Sequence, residues 1–285
     1  MSGDLLKRLE DGMSLFSKGQ RSIAAYVLMH YDKAAYLTAA RLGALVGVSE
    51  STVVRFATEL GFSGYPEMQA ELKKLVRSRL TSFQRMEVTN TLIGDGDVLD
   101  TVLLSDVDKI RNTIEEIDHA SFERAVDAIA SAKNIYVIGV RSSSALAGFL
   151  SHSLGMIFDH VRLVQTSSGN EVLEQIINVG EGDVMVAISF PRYSKRVIKA
   201  VEYARSRNAD VVALTDSENS PIAPFADQLL IAQSDMASFV DSLVAPLSIV
   251  NAMVVAVARK RQEEVSERLR ILEEVWDRYD VYDKK

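Results

Sequence analysis

The chain has 285 residues, 47% hydrophobic and 25% charged, enough for one or two domains with a substantial core. It has no cysteine, which excludes disulfides, a thiol nucleophile and thiolate metal sites. The net charge of −7 argues against nucleic acid for the chain as a whole, but residues 1–80 hold 11 Lys and Arg against 8 Asp and Glu, while the remainder holds 21 against 31.

A mildly basic module ahead of an acidic body fits a DNA-binding domain joined to a sensor. The first ten residues, MSGDLLKRLE, lack the apolar core of a signal peptide. The longest apolar run, 247–258, falls short of the ~20 residues a membrane helix needs and reads as a buried or dimer-forming helix. A cytoplasmic protein with no membrane partner is expected.

Apolar spacing of three and four predicts helices over 4–16, 20–31 and 65–80. Between them runs TAARLGALVGVSESTVVRFATELGF. Thr38 can cap a helix ending near Val46. Gly47 breaks it, and Ser49 can cap a second helix to Leu60, with Gly61 as its stop. A small Gly43 where two helices cross, and a turn glycine at 47, fit a helix-turn-helix. On the second helix Val53, Val54, Ala57 and Leu60 are expected inward, leaving Ser51, Thr52, Arg55 and Glu59 outward. Hydroxyls and an arginine near the start of an exposed helix suit phosphates and base edges in a major groove. Thr38, Ser49, Ser51, Thr52 and Arg55 are the candidate DNA contacts. The same spacing also describes an ordinary helical hairpin with a polar face. The basic end Lys73, Lys74, Arg77 and Arg79 either touches DNA backbone or is a solvated face.

Residues 81–100 lose this periodicity around Gly94-Asp95-Gly96-Asp97, and a linker over 81–105 is expected between a DNA-binding domain over 1–80 and a second domain over 106–285. Helical spacing resumes over 102–117 and 122–132. From Asn134 the pattern alternates strand and helix: NIYVIGV, VRLV, DVMVAISF, DVVALTDS and DQLLIA are apolar runs, and a long helix follows from about 239 to 261. Continuously apolar strands with helical connections predict the α/β class, a parallel sheet covered on both faces, with ligands at the C-terminal strand edge.

Two turns at that edge carry hydroxyls. The first strand ends at Gly139 and leads into Ser142, Ser143 and Ser144 at a helix start, where free N–H groups and the helix dipole favour an anion. The alternative for Ser142 is a plain N-cap. The third strand ends in ISFPRYS, with Ser189 and Ser194 flanking Pro191-Arg192-Tyr193. Two such turns read as a phosphate cradle. Gly139 begins no dinucleotide fingerprint, and neither a P-loop nor a GxSxG elbow occurs. His30, His119, His152 and His160 lie in no metal spacing, so neither metal nor cofactor is expected. The C-terminal segment is a charged helix whose stripe of Val265, Leu269, Leu272, Val275 and Trp276 is expected to pack on the body or on a second subunit.

Taken together, a helix-turn-helix containing GVSESTVVRFATELGFSGYP, followed by a sheet with two serine turns, resembles the RpiR family of bacterial transcription regulators over nearly the whole chain. Residues 106–262 resemble its SIS (sugar isomerase) domain. The resemblance implies a five-stranded parallel sheet flanked by helices, a homodimer or homotetramer formed through the SIS domain, and a phosphorylated sugar that modulates operator affinity. A symmetric dimer reads a palindromic operator. The phosphate-binding positions map onto Ser142, Ser143, Ser144, Ser189 and Ser194, and the glutamate of catalytic relatives falls near Glu171. Two positions depart from the pattern: Arg141 replaces a usual glycine, and Pro191-Arg192 replaces a Ser-Gly pair. The two arginines suit a ligand with a second anionic group, such as a sugar-acid phosphate, or turn outward to acidic surface, or fill the pocket. A regulator sensing a phosphorylated metabolite is therefore expected. One rival is a sugar-phosphate isomerase with an accessory helical domain, using Glu171 as base. Another is a regulator with a vestigial pocket that answers to a protein partner.

Overall fold

The structure is a computed structural model that describes residues 4–79, 81–94, 96–165, 171–234 and 240–283, apart from the side chains of 4, 74, 77–79, 91, 92 and 171. The chain forms two compact units, the first ending at Val98 and the second beginning at Leu99.

The first unit is helical: α1 (Asp4–Gly12), α2 (Lys18–Met29), α3 (Tyr31–Ala34), α4 (Ala39–Val46), α5 (Glu50–Glu59), α6 (Tyr65–Arg79) and α7 (Ser82–Ile93). Helix α2 starts at a capping box between Ser17 and Gln20. The core gathers around Phe56, whose ring meets Phe16 edge-on with centroids 5.1 Å apart. The buried face of α5 is Val53, Phe56, Ala57 and Leu60, spaced i, i+3, i+4 and i+7. Val54, expected inward, lies off that stripe and is 39% exposed.

The stretch expected as a linker is largely helical. Thr81 and Gln84 form a reciprocal capping box that opens α7, and Gly94 at φ +55° closes it. Val88 joins the core of the first unit, and Arg85 and Thr89 are buried as well. The next helix, α8 (Val98–Glu116), begins four residues after Gly94. The apolar residues of α7 do not form one stripe, and Phe83 is exposed, which hides the helix from a periodicity reading. The two units divide inside this stretch, at Val98 and Leu99.

The second unit continues with α9 (His119–Ser131), β1 (Ile135–Gly139), α10 (Ser143–Gly155), β2 (Val161–Val164), α11 (Glu171–Gln175), β3 (Val184–Ile188), α12 (Lys195–Ser206), β4 (Asp210–Thr215), β5 (Gln228–Ile231), α13 (Val244–Lys260) and α14 (Gln262–Arg278). The five strands form one parallel sheet in the order β2-β1-β3-β4-β5. Alternation along the strands feeds two cores. Ile135, Val137, Val184 and Val186 pack with α9, α10 and α13, while Tyr136, Ile138, Met185 and Ala187 pack with α11 and α12. Helix α13 begins at Val244 rather than near 239, a position outside the described residues. On α14 only Val265 of the apolar stripe is buried; Leu269 and Val275 are exposed. Among the described residues no helix is long and apolar enough to cross a membrane.

One buried phenol ties the first unit together. The hydroxyl of Tyr65 donates to the Leu37 carbonyl at 2.7 Å, and Gln69 Nε2 donates to the same oxygen at 2.7 Å. These bonds fix α6 to the turn that precedes α4. Burial pushes the Tyr65 phenol from 10.0 up to about 12. The folded state thus favours the neutral phenol, so this stabilisation is complete below pH ~10 and is lost as pH rises toward 12. We expect Tyr65→Phe to destabilise the first unit by about 0.5–1.5 kcal/mol at neutral pH. It should also flatten the loss of stability between pH 10 and 12. Denaturant unfolding of the full chain at several pH values reads both effects; wild-type behaviour in the variant would count against the assignment.

Candidate functional site

In the helical unit two glycines set the angle between α4 and α5. Gly47 ends α4 in the left-handed region at φ +74°. A Cβ on Gly43 would stand 2.7 Å from the Val48 carbonyl oxygen, so only glycine lets the turn pass this close. Thr38 caps α4 by accepting from the Arg41 N–H at 3.3 Å. Ser49 caps α5 by accepting from the Thr52 N–H at 3.3 Å, and its Oγ lies 2.9 Å from Ser51 Oγ and 2.8 Å from Thr52 Oγ1. Each cap contributes about 1 kcal/mol to its helix. Thr38 and Ser49 therefore do structural work at helix starts, whatever they touch outside. Ser51 and Arg55 are exposed on the outward face of α5, and Thr52 is half-buried. Arg55 Nε donates to the Ser51 carbonyl at 3.4 Å, engaging one of five guanidinium N–H groups.

The exposure of Val54 places an apolar side chain on the same outward face, suited to a thymine methyl in a major groove. Its apolar character alone predicts a core position, which the helical phase overrides. Lys73 is half-buried with its ammonium 5.9 Å from the Tyr36 ring centroid, which favours packing over backbone contact. The side chains of Lys74, Arg77 and Arg79 lie outside the described residues.

The second constellation sits on the sheet. Strands β1 and β3 are neighbours, with Gly139 opposite Ile188, while β2 lies on the far side of β1. The chain direction across the sheet thus reverses between β1 and β3, and the crevice beyond their carboxyl ends is where such sheets hold ligands. Both serine turns leave from this point. Ser143 and Ser189 are only 5% and 4% exposed, yet neither side chain has a hydrogen-bond partner among the described residues. Among the described residues the one buried side-chain N or O atom without a partner is Arg85 Nε, so both hydroxyls still reach solvent and are free to bond water or a ligand at the strand edge. The other serines serve locally. Ser144 Oγ donates to the Arg141 carbonyl at 2.5 Å, and Ser194 caps α12 by accepting from the Arg196 N–H at 3.3 Å. Ser142 occupies the cap position of α10 but its side chain makes no capping bond, contrary to the plain N-cap alternative.

Arg141 and Arg192 both have positive φ, at 58° and 65°. The only other non-glycine residues in that region among the described ones are Asn208 and Asp280, types that tolerate it well. Arginine does not, and the left-handed region costs such a residue about 1–2 kcal/mol. Both arginines are exposed, and Arg141 has no side-chain partner among the described residues. Two residues at this edge, Thr215 and Asp216, escaped the sequence reading: Tyr193 donates to Asp216 Oδ1 at 2.8 Å, and Thr215 donates to the same oxygen at 3.3 Å. Asp216 directly follows β4, a place that strand topology alone puts beside β3. The Glu171 side chain and residues 166–170 lie outside the described residues. Among the described residues no group of three or more His, Asp or Glu is arranged to hold a metal ion.

Comparison with known proteins follows this division. Residues 3–78 match the helix-turn-helix domain of the rpiR family, and residues 128–256 match the SIS domain. The HTH-type transcriptional regulator HexR of Pseudomonas aeruginosa is 25% identical over 284 residues, covering 95% of each chain. The NanR protein of Vibrio vulnificus, solved in complex with ManNAc-6P, is 26% identical, with TM-score 0.60 over 96% of this chain and 98% of that one. The sugar isomerase domain of an RpiR transcription factor from Sphaerobacter thermophilus is 28% identical, with TM-score 0.58 over 61% of this chain and 97% of that one.

The backbone at Arg141 yields a stability expectation. Arg141→Gly removes left-handed strain at the cost of some glycine entropy, so the second unit should gain up to about 1 kcal/mol. A calorimetric melt of the full chain measures this. An unchanged or lower transition temperature would show that Arg141 is not strained.

Proposed function

This chain belongs to the RpiR family, a helix-turn-helix DNA-binding domain followed by a SIS domain, and from that premise we propose that a phosphorylated sugar binds between the β1 and β3 turns and changes operator affinity. The observation that carries the reading is the pair of serines Ser143 and Ser189 at the ends of neighbouring strands β1 and β3, whose hydroxyls have no partner among the described residues and remain free to meet a ligand. Ser142 and Ser194 flank them, and two helix starts add backbone N–H donors. The complex of NanR with ManNAc-6P supports a sugar phosphate as the class of effector. The protein acts as a homodimer or homotetramer in the cytoplasm and is not an enzyme. Its relatives named as regulators support the non-enzymatic reading, and the isomerase alternative rests on Glu171 with no observation of its own. On DNA, Ser51, Thr52 and Arg55 of α5 read base edges or adjacent phosphates in a palindromic operator.

Two measurements test the two halves. Arg55→Ala should weaken the specific DNA complex by about 1–3 kcal/mol in gel shifts on the region upstream of the protein's own gene. Unchanged affinity and specificity with the fold intact would remove Arg55 from the interface. For the effector, a thermal-shift panel of sugar phosphates that includes ManNAc-6P should contain a compound that raises the melting temperature. At 100 times its dissociation constant a ligand of the folded state adds about 2.7 kcal/mol. Calorimetric titration of that compound into Ser143→Ala and Ser194→Ala should show binding weakened by about 1.5–3 kcal/mol each, with DNA affinity in its absence near wild type. Wild-type binding by both variants would overturn the cradle.

A further inference from the structure

Helix α8 meets its own unit with polar residues and turns apolar ones outward. Its buried residues are Lys109 and Thr113, whereas Leu99, Leu103, Leu104, Val107 and Ile114 are exposed. Lys109, only 4% exposed, donates through Nζ to Ser105 Oγ at 2.7 Å and to Asp106 Oδ1 at 3.3 Å. The same Asp106 oxygen accepts from Ser242 Oγ at 2.7 Å. One turn further on, Thr113 Oγ1 accepts from the Gln233 N–H at 2.9 Å, and Gln233 Nε2 donates to Glu116. Gln233 and Ser242 both belong to the stretch between β5 and α13. A buried ion pair adds little net stability over apolar packing, and its best-attested use is to fix a register or a switch.

Gln233 is tied by successive hydrogen bonds to the strand edge from which the serine turns leave. The Ser189 N–H donates to the Leu214 carbonyl at 3.0 Å, near the end of β4. The carbonyl of the next residue, Thr215, accepts from the Ala232 N–H at 2.8 Å, just past β5, and Gln233 follows. Beside this ladder Tyr193 and Thr215 both donate to Asp216 Oδ1. Each step from Ser189 to Thr113 is therefore one hydrogen bond or one peptide link. Hydrogen-bond networks on rigid strands carry coupling between distant sites. At its other end α8 begins at Val98, four residues after Gly94 closes α7, and α7 places Val88 in the core of the first unit. The helix that receives the ladder is thus the one the chain enters on leaving the helical unit.

We propose that α8 carries the effector signal, with Thr113 as the positioning residue that takes it from Gln233 and the Lys109–Asp106 pair holding the register of the helix. This rests on the reading that a sugar phosphate at the serine turns changes operator affinity, and it names the residues through which that change passes. Thr113 belongs neither to the serine turns nor to α5, so its replacement spares both binding faces.

Gel shifts of the full chain on a palindromic duplex selected from random DNA test this, with and without saturating probe. The probes are inorganic phosphate, ManNAc-6P, glucose 6-phosphate and fructose 6-phosphate, and calorimetric titration identifies those that bind. A bound probe should change the DNA affinity of wild type about five-fold or more. Thr113→Val and Glu116→Ala should each cut that factor about three-fold or more, with probe affinity and probe-free DNA affinity within about two-fold of wild type. Glu116 is exposed, so Glu116→Ala folds whatever becomes of Thr113→Val. Thr113→Ser, which keeps the hydroxyl, should restore the wild-type factor. A merely structural role for Thr113 would lower the melting temperature and leave the factor in place. The full factor retained in Thr113→Val and Glu116→Ala overturns the proposal and leaves the effector reading standing. No effect of a bound probe on wild-type DNA affinity, or no binding by any of the four, overturns the effector reading and the proposal with it.

Discussion

The close seating of α10 on the end of β1 governs the second unit. A Cβ on Gly139 would lie 2.4 Å from the Ser143 carbonyl oxygen and 3.0 Å from Ala147 Cβ, so only a bare backbone permits the contact. The chain therefore has three residues in which to reverse from strand to helix, and Arg141 takes the left-handed conformation among them. That reversal brings the first turn of α10 to the neighbour of β3, because Gly139 pairs with Ile188 in the sheet. Ser143 is largely buried by the same approach, and its hydroxyl has no partner among the described residues. Packing, strain and the polar site are consequences of one missing side chain.

The helical unit uses the same device for a different end. Gly43 lets the turn after α4 pass within contact of its backbone, and Gly47 supplies the left-handed residue. The hydrophobic stripe of α5 is then fully used inside, and its remaining faces are left to solvent and to DNA. In the sheet, alternation buries both faces in two separate cores, which leaves chemistry to the strand ends alone. Rigid layers with reactive edges suit a sensor whose ligand contacts need fixed geometry.

Much of this was legible in the sequence for definite physical reasons. Apolar runs separated by helical spacing forced a covered parallel sheet, and a glycine at the end of the first run, followed by three serines, marked the strand-to-helix turn. Gly43, Gly47, Thr38 and Ser49 announced the helix-turn-helix through backbone requirements that few other residues meet. The failures are equally physical. Val54 reads as core by its apolar side chain, whereas its helical phase turns it outward. Helix α7 is hidden in the sequence because its start is held by the Thr81 and Gln84 capping box and its buried residues include Arg85 and Thr89, polar types that carry no periodic signal. The Tyr193 to Asp216 bond joins residues 23 apart, and only strand adjacency brings them together. Arg141 and Arg192 stand out in the sequence only as departures from a pattern, whereas their shared positive φ is a property of the folded chain.

The central claim is that occupation of the strand edge alters the grip of the helix-turn-helix on DNA. Coupling of this kind is reciprocal, so DNA must change effector affinity by the factor by which effector changes DNA affinity. Fluorescence anisotropy of the full chain on a labelled palindromic duplex selected from random DNA measures one side, with and without a saturating sugar phosphate that binds the protein. Titration of that sugar phosphate into free and DNA-bound protein measures the other. The account predicts two equal factors, each of about five-fold or more. Identical DNA affinity in the presence and absence of the saturating sugar phosphate would contradict it.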